Sequence, residues 1–176
     1  MLNRHDLTDL LQYIVDSASA IMDSPFAEIL LKQGDKLVVC AVAQDTEPKL
    51  WDAPGPDDAQ LTWRAFTTRQ PVFLDDYQQW PGKRKVFNEI GLRAVAELPI
   101  IAGNDCIGVL SMARITPNYP YMPEQVESCT ILLQFVGLVL DNDVRARAPR
   151  LGDAPPQLLV HEHALGVGAA PDVVVV

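Results

Sequence analysis

No stretch of this 176-residue chain approaches the roughly 18 to 20 consecutive apolar residues that a membrane-spanning helix requires. The opening MLNRHDLTDLLQYIVDS carries charges through its apolar pattern, without the compact hydrophobic region and small-residue cleavage site of a secretion signal. Together these absences predict a cytoplasmic protein with no membrane segment. Cysteine is scarce as well: Cys40, Cys106 and Cys129 stand far apart inside apolar segments. An odd count without CxxC or metal-ligand spacing excludes a disulfide framework and predicts buried, reduced thiols. Basic clusters are missing too. The formal net charge is -9 and the longest cationic run is Lys83-Arg84-Lys85, a balance that repels phosphate backbones and argues against nucleic-acid binding. Histidine offers one short motif, His161-Glu162-His163, with no third ligand nearby, so no metal and no cofactor is expected.

What is present has globular composition, 48% apolar and 21% charged, enough for one domain with a substantial core. From Asp6 to Met22 the apolar residues Leu7, Leu10, Leu11, Ile14, Val15, Ala18, Ile21 and Met22 form one helical stripe. FAEILLKQ and KLVVCAVA, joined by Gly34-Asp35, predict a hairpin. QDTEPKLWDAPGPDDAQ reads as a loop, and LTWRAFTTRQ as a short helix that must stop near Pro71. A further short helix, KRKVFNEI, ends at Gly91. LRAVAELPIIA and CIGVLSMARI predict a second hairpin at the centre of the sheet. Pairing them across Gly103-Asn104 sets Ala94, Ala96, Leu98 and Ile100 on one face, opposite Ala113, Ser111, Val109 and Ile107.

From Pro123 a long helix carries two apolar stripes. One is Cys129, Leu132, Leu133, Val136 and Leu140; beside it run Ile131, Phe135, Leu138 and Val139. The first can cover a sheet. The second needs another partner, either the first helix or a second copy of the chain. Residues 146–176 turn to Ala, Pro, Gly and Val without helical periodicity and predict a disordered tail. Its abrupt onset also fits the truncated or frame-shifted end of a longer signalling protein.

Aromatic residues make up only 7% of the chain, so their concentration in FLDDYQQWPGKRKVF, a polar connection, is informative. Exposed rings gain nothing from water, and Tyr77, Trp80 and Phe87 must cover something. The element order resembles that of GAF domains, and four phrases carry the resemblance: RQPVFLDDYQQWPG (69–82), GLRAVAELPI (91–100), CIGVLSMAR (106–114) and YPYMPEQVESCTILLQFVGLVLDN (119–142). It covers roughly residues 5 to 145, giving a domain at 1–145 and the tail at 146–176.

The resemblance implies an α+β, PAS-like fold. Its central antiparallel sheet has the first and last helices on one face, and loops and short helices over a small-molecule pocket on the other. By the same resemblance Ala94, Ala96, Ser111 and Ala113 floor the pocket, while Asp75, Asp76, Tyr77, Trp80 and Phe87 roof it. Alternatively Trp80 and Phe87 fill that volume, and the domain binds nothing and serves for dimerisation. Fold membership does not decide between these readings.

Other chemistries are less well supported by the residues. Bilin attachment needs a thiol in the roof, and the roof has neither Cys nor His. Of the cyclic-nucleotide signature Asn-Lys-Phe-Asp-Glu only Asn88-Glu89 is present. The free methionine sulfoxide reductases of the family cluster cysteines at the pocket, within a motif that this chain lacks. Asp75 and Asp76 read more readily as a helix cap or Asx turn than as an acid/base pair. Lys83, Arg84 and Lys85 read as a solvated helix face, or as the nearest cations to an anionic ligand. The expected role is therefore a non-catalytic sensory input module, homodimeric through its first and last helices, of a signalling protein such as a diguanylate cyclase or histidine kinase.

Overall fold

The computed structural model describes residues 4–43 and 60–147. The predicted loop at 44–60 lies outside the described residues except for Gln60, which opens a helix, and the predicted tail at 146–176, with His161-Glu162-His163, lies outside them from 148 onward, residues 146 and 147 belonging to the last helix. Helix α1 (Arg4–Met22) is followed by strands β1 (Phe26–Gln33) and β2 (Lys36–Val42), helix α2 (Gln60–Thr68) and a short strand β3 (Val72–Leu74). A single 3-10 turn (Tyr77–Gln79) and helix α3 (Lys85–Glu89) lead to β4 (Val95–Ala102), β5 (Asp105–Ala113) and the long helix α4 (Pro123–Arg147). All pairings are antiparallel, in the order β2-β1-β5-β4-β3, so β5 is the middle strand and the two predicted hairpins meet along β1 and β5. Strand β3, which the sequence did not reveal, pairs with β4 at its edge.

The apolar stripe of α1 and the first stripe of α4 pack on one face of the sheet. Leu11, Ile14, Val15, Ala18 and Met22 meet Cys129, Leu133, Val136 and Leu140 over Ala27, Ile29, Ala96, Leu98, Ile100, Leu110 and Met112. Helix α4 lies close to the sheet because Gly137 has no side chain: a Cβ there would overlap the backbone carbonyl of Ile101. Gly137→Ala is therefore expected to destabilise the domain by about 1–3 kcal/mol, although alanine is the better helix former. Urea unfolding of the two proteins checks this.

The register of β4 and β5 differs from the predicted one by a single residue. Ala96 pairs with Met112, Glu97 with Ser111 and Leu98 with Leu110, and a β-bulge between Ile100 and Ile101 absorbs the offset before the turn. A shift of one residue sends every side chain to the opposite face. Ala96, placed by the sequence reading beside Ser111 and Ala113, instead packs under the helices with Met112. Glu97 takes its place on the other face, across from Ser111.

The thiols also depart from expectation. Cys129 is buried, but Cys40 and Cys106 are only half-buried, because β2 is an edge strand and Cys106 is the second residue of β5, beside the turn. All three are free.

Candidate functional site

The face of the sheet away from α1 and α4 is roofed by α2, the 3-10 turn and α3. Its end nearest β3 is filled by aromatics. Tyr77 is buried, with the Trp80 ring at 5.4 Å and the Phe87 ring at 6.2 Å from its centroid. This cluster closes over Leu61, Leu92, Val95 and Ala113. The Tyr77 hydroxyl accepts from the Arg84 backbone N–H at 3.0 Å, so the ring is pinned as well as packed. Helix α3 ends as the sequence predicts: Gly91 takes φ +77°, and the Leu92 N–H reaches back to the Phe87 carbonyl.

The predicted acidic residues of the roof do not face the sheet. Asp76 caps the 3-10 turn, accepting from the Gln78 N–H at 3.0 Å, and pairs with Arg93 at 3.6 Å. Asp75 is exposed and borders a shallow groove with Phe73, Tyr121 and Glu127. Ala94 is buried just before β4, where its carbonyl accepts from the Arg114 N–H. Of the nine predicted residues the structure thus brings Tyr77, Trp80, Phe87 and Ala113 into one cluster. Ser111 lies next along β5, Asp75 and Asp76 face outward, and Ala96 is on the helix side.

Beside the aromatic plug lies a polar row that the sequence reading missed. In the ladder, Glu28 of β1 and Glu97 of β4 both pair with Ser111 of β5. The two glutamate Cα atoms are therefore about 9–10 Å apart, by the ordinary spacing of adjacent strands. Both side chains are buried, Glu28 being 3% and Glu97 4% exposed. On one side the row is bounded by Val95, Ala113 and Tyr77, on the other by Leu30, Val109, Ala65 and Phe66.

Ser111 donates to Glu97 Oε1 at 3.1 Å, and the Thr62 hydroxyl of α2 also bonds this carboxyl. The second oxygens, Glu28 Oε2 and Glu97 Oε2, are buried without a hydrogen-bond partner. Burial pushes Glu97 up to about 8, against the opposing pull of its Ser111 and Thr62 hydrogen bonds. Burial, then the nearby charge of Glu97, raises Glu28 well above the usual carboxylate range. The available signal was a lone acid inside each of two apolar strands, FAEILLKQ and AVAELPI, but only the register shows that the two share a face.

The basic residues of the roof are otherwise engaged. Lys83 donates to the Gln78 carbonyl, Arg84 lies over the Phe87 ring at 5.2 Å, and Lys85 pairs with Glu89 at 3.7 Å. The thiols are no better placed for chemistry. Cys40 and Cys129 pack on the helix side and Cys106 beside α2, and burial raises each of them, Cys129 to about 12. Among the described residues no group of His, Cys, Asp and Glu is arranged to hold a metal.

A five-stranded antiparallel sheet with two long helices on one face and a short-helix roof over buried polar groups on the other is an α+β architecture. The GAF domain family matches residues 4–141. The chain belongs to that family. No curated protein sequence matches the chain.

Solved structures show the same fold at low identity. The GAF domain/HD domain protein from Geobacter sulfurreducens superposes with a TM-score of 0.68 at 13% identity, covering 80% of this chain and 95% of that one. The GAF domain of a two-component sensor histidine kinase from Bacillus halodurans gives 0.65 at 19%, covering 80% and 96%. The blue-light absorbing form of the Thermosynechococcus elongatus PixJ GAF domain gives 0.63 at 12%, covering 81% and 89%. GAF domains are generally sensory modules, and relatives of this fold occur in histidine kinases and in a methyl-accepting chemotaxis protein. No helix among the described residues is long and apolar enough to cross a membrane.

Proposed function

We propose that this chain is a non-catalytic, cytoplasmic, small-molecule-sensing GAF domain, the input module of a signalling protein such as a diguanylate cyclase or histidine kinase. The observation that carries this reading is the pair of buried carboxyl oxygens without partners beneath α2. Burying a polar atom without a hydrogen bond costs about 1–3 kcal/mol, so two such atoms on one row favour an occupant that satisfies them. The ligand lies over Ser111, between β1, β4 and α2, rather than under Trp80 and Phe87, whose space their own rings fill. It must bind one packing of α1 and α4 better than another to transmit a signal.

The signal passes through a homodimer. Ile131, Phe135 and Leu138 of the second stripe of α4 are each 59% exposed, and α1 does not cover them. A second copy packing along this stripe buries it. Native mass spectrometry of the full chain tests both parts. A dimer carrying a discrete extra mass that is lost on denaturation is expected, and Phe135→Glu or Leu138→Glu is expected to give the monomer. A monomeric unmodified chain at micromolar concentration sinks the dimer, and a chain without retained mass favours the second reading.

That reading is a ligand-free interaction module, favoured by the filled aromatic end of the roof. Ser111→Leu separates the two. It blocks the polar row of a sensor and abolishes its ligand response, whereas in a filled module it changes stability alone.

A further inference from the structure

The chemistry of the row restricts what it can hold. Glu28 and Glu97 approach from opposite sides of Ser111, the smallest side chain in the row, and each presents an oxygen without a partner. In their ionised form, which a bound cation would stabilise, the two carboxylates only accept hydrogen bonds. Among the described residues no lysine or arginine side chain hydrogen-bonds or ion-pairs with either glutamate, and the three roof cations nearest in sequence are held by Gln78, the Phe87 ring and Glu89. A phosphate or carboxylate ligand would therefore meet two acidic groups and, among the described residues, no counter-charge. A planar cation with several N–H donors fits instead, since forked donors satisfy carboxylate oxygens in pairs.

We infer that the Glu28–Ser111–Glu97 row recognises a small cation of amidinium or guanidinium type, whose N–H groups donate to the orphan Oε2 atoms. This rests on the reading of the row as the ligand site of a sensor. The titratable groups that interact with Glu97 are Glu28 from β1, Tyr77 from the roof and Tyr121 from the segment before α4; Ser111 of β5 and Thr62 of α2 do not titrate. Burial pushes Glu97 up to about 8 and raises Glu28 in the same direction, so a cation that binds beside ionised carboxyls expels the proton that Glu97 otherwise keeps at neutral pH. Affinity then rises with pH up to about 8, by at most about tenfold per pH unit for each proton released. A neutral or anionic acceptor held by the protonated carboxyls shows the opposite trend.

Calorimetric titration of the full chain with methylguanidinium and benzamidinium, against benzamide and benzoate, at pH 6, 7 and 8 tests this. Saturable binding of at least one cation, tightening with pH and weakened more than tenfold by Glu97→Gln, is the expected result. Glu28→Gln, on a different strand, serves as the second variant, and the pH trend of the unmodified chain requires none. Absence of saturable cation binding at millimolar concentration overturns the inference. So does affinity that falls with rising pH, or binding that both variants leave unchanged. If native mass spectrometry still finds a retained neutral or anionic molecule, only the ligand class has failed. If nothing is retained and no probe binds, the sensor reading fails with it.

Discussion

Unfolding free energy is expected to fall as pH rises from about 5 to 8, and Glu97→Gln is expected to remove a large part of that fall. Burial pushes Glu97 up to about 8, whereas an unperturbed glutamate ionises near 4.5. Between these values the folded protein keeps a proton that the unfolded chain has released. Stability then declines with pH, at up to roughly 1.4 kcal/mol per pH unit for each such carboxyl. Below 4.5 both states hold the proton and the contribution is complete; above about 8 it is lost. Glu28, raised by its own burial and by the charge of Glu97, adds to the slope in the same direction.

Urea unfolding at constant ionic strength, at pH 5, 6, 7 and 8, measures the slope directly. The double variant Glu28→Gln and Glu97→Gln should be nearly flat over this window, and more stable than the unmodified protein at pH 8. A flat profile for the unmodified protein would mean that both carboxyls are ionised in the fold, and the buried neutral pair would be wrong. Saturation with a cation that binds the row should shallow the slope, because the bound state keeps the carboxyls ionised. The stability profile and the ligand chemistry thus read the same two protons.

The elements of this fold were legible in the sequence because their periodicities are clean. The two stripes of α4 separate in most positions: Cys129, Leu133, Val136 and Leu140 are buried and Ile131, Phe135 and Leu138 exposed, while Leu132 of the first and Val139 of the second are both half-buried. Asp76 as a cap and Gly91 as a helix stop follow from local backbone chemistry. The site was less legible, since it depends on which residues of different strands share a face. One bulge at Ile100/Ile101 is invisible in the residue pattern, yet it exchanges Ala96 for Glu97 on the roof side. The Tyr77, Trp80 and Phe87 rings were legible because polar connections rarely hold them; that they close over Val95 and Ala113 required the packing. Strand β3 is too short to leave an alternating pattern.

Replacing Arg114 with Met is expected to cost roughly 3–5 kcal/mol, a large fraction of the 5–15 kcal/mol typical of a domain. The side chain is 1% exposed and uses all five of its N–H donors. Nε donates to the Asp23 carbonyl at 3.0 Å, Nη1 to the carbonyls of Tyr119 at 3.0 Å and Pro120 at 2.8 Å, and Nη2 to the Met22 carbonyl and to Gln125 Oε1 at 3.1 Å. The guanidinium lies between the rings of Tyr119 and Tyr121, at 4.2 and 4.1 Å from their centroids.

Met22 and Asp23 are the carbonyl end of α1, where the helix leaves acceptors unpaired and its dipole favours a cation. Methionine fills similar volume but strands these acceptors and returns no charge. Lysine restores the charge without the five-donor fork, so Arg114→Lys should still lose more than half of the effect. A midpoint shift in urea with an unchanged slope measures both, and a loss below 1 kcal/mol for Arg114→Met would show that the network carries little stability. Arg114 sits three positions beyond Ser111 on the same chain segment and holds the end of α1 beside the start of α4.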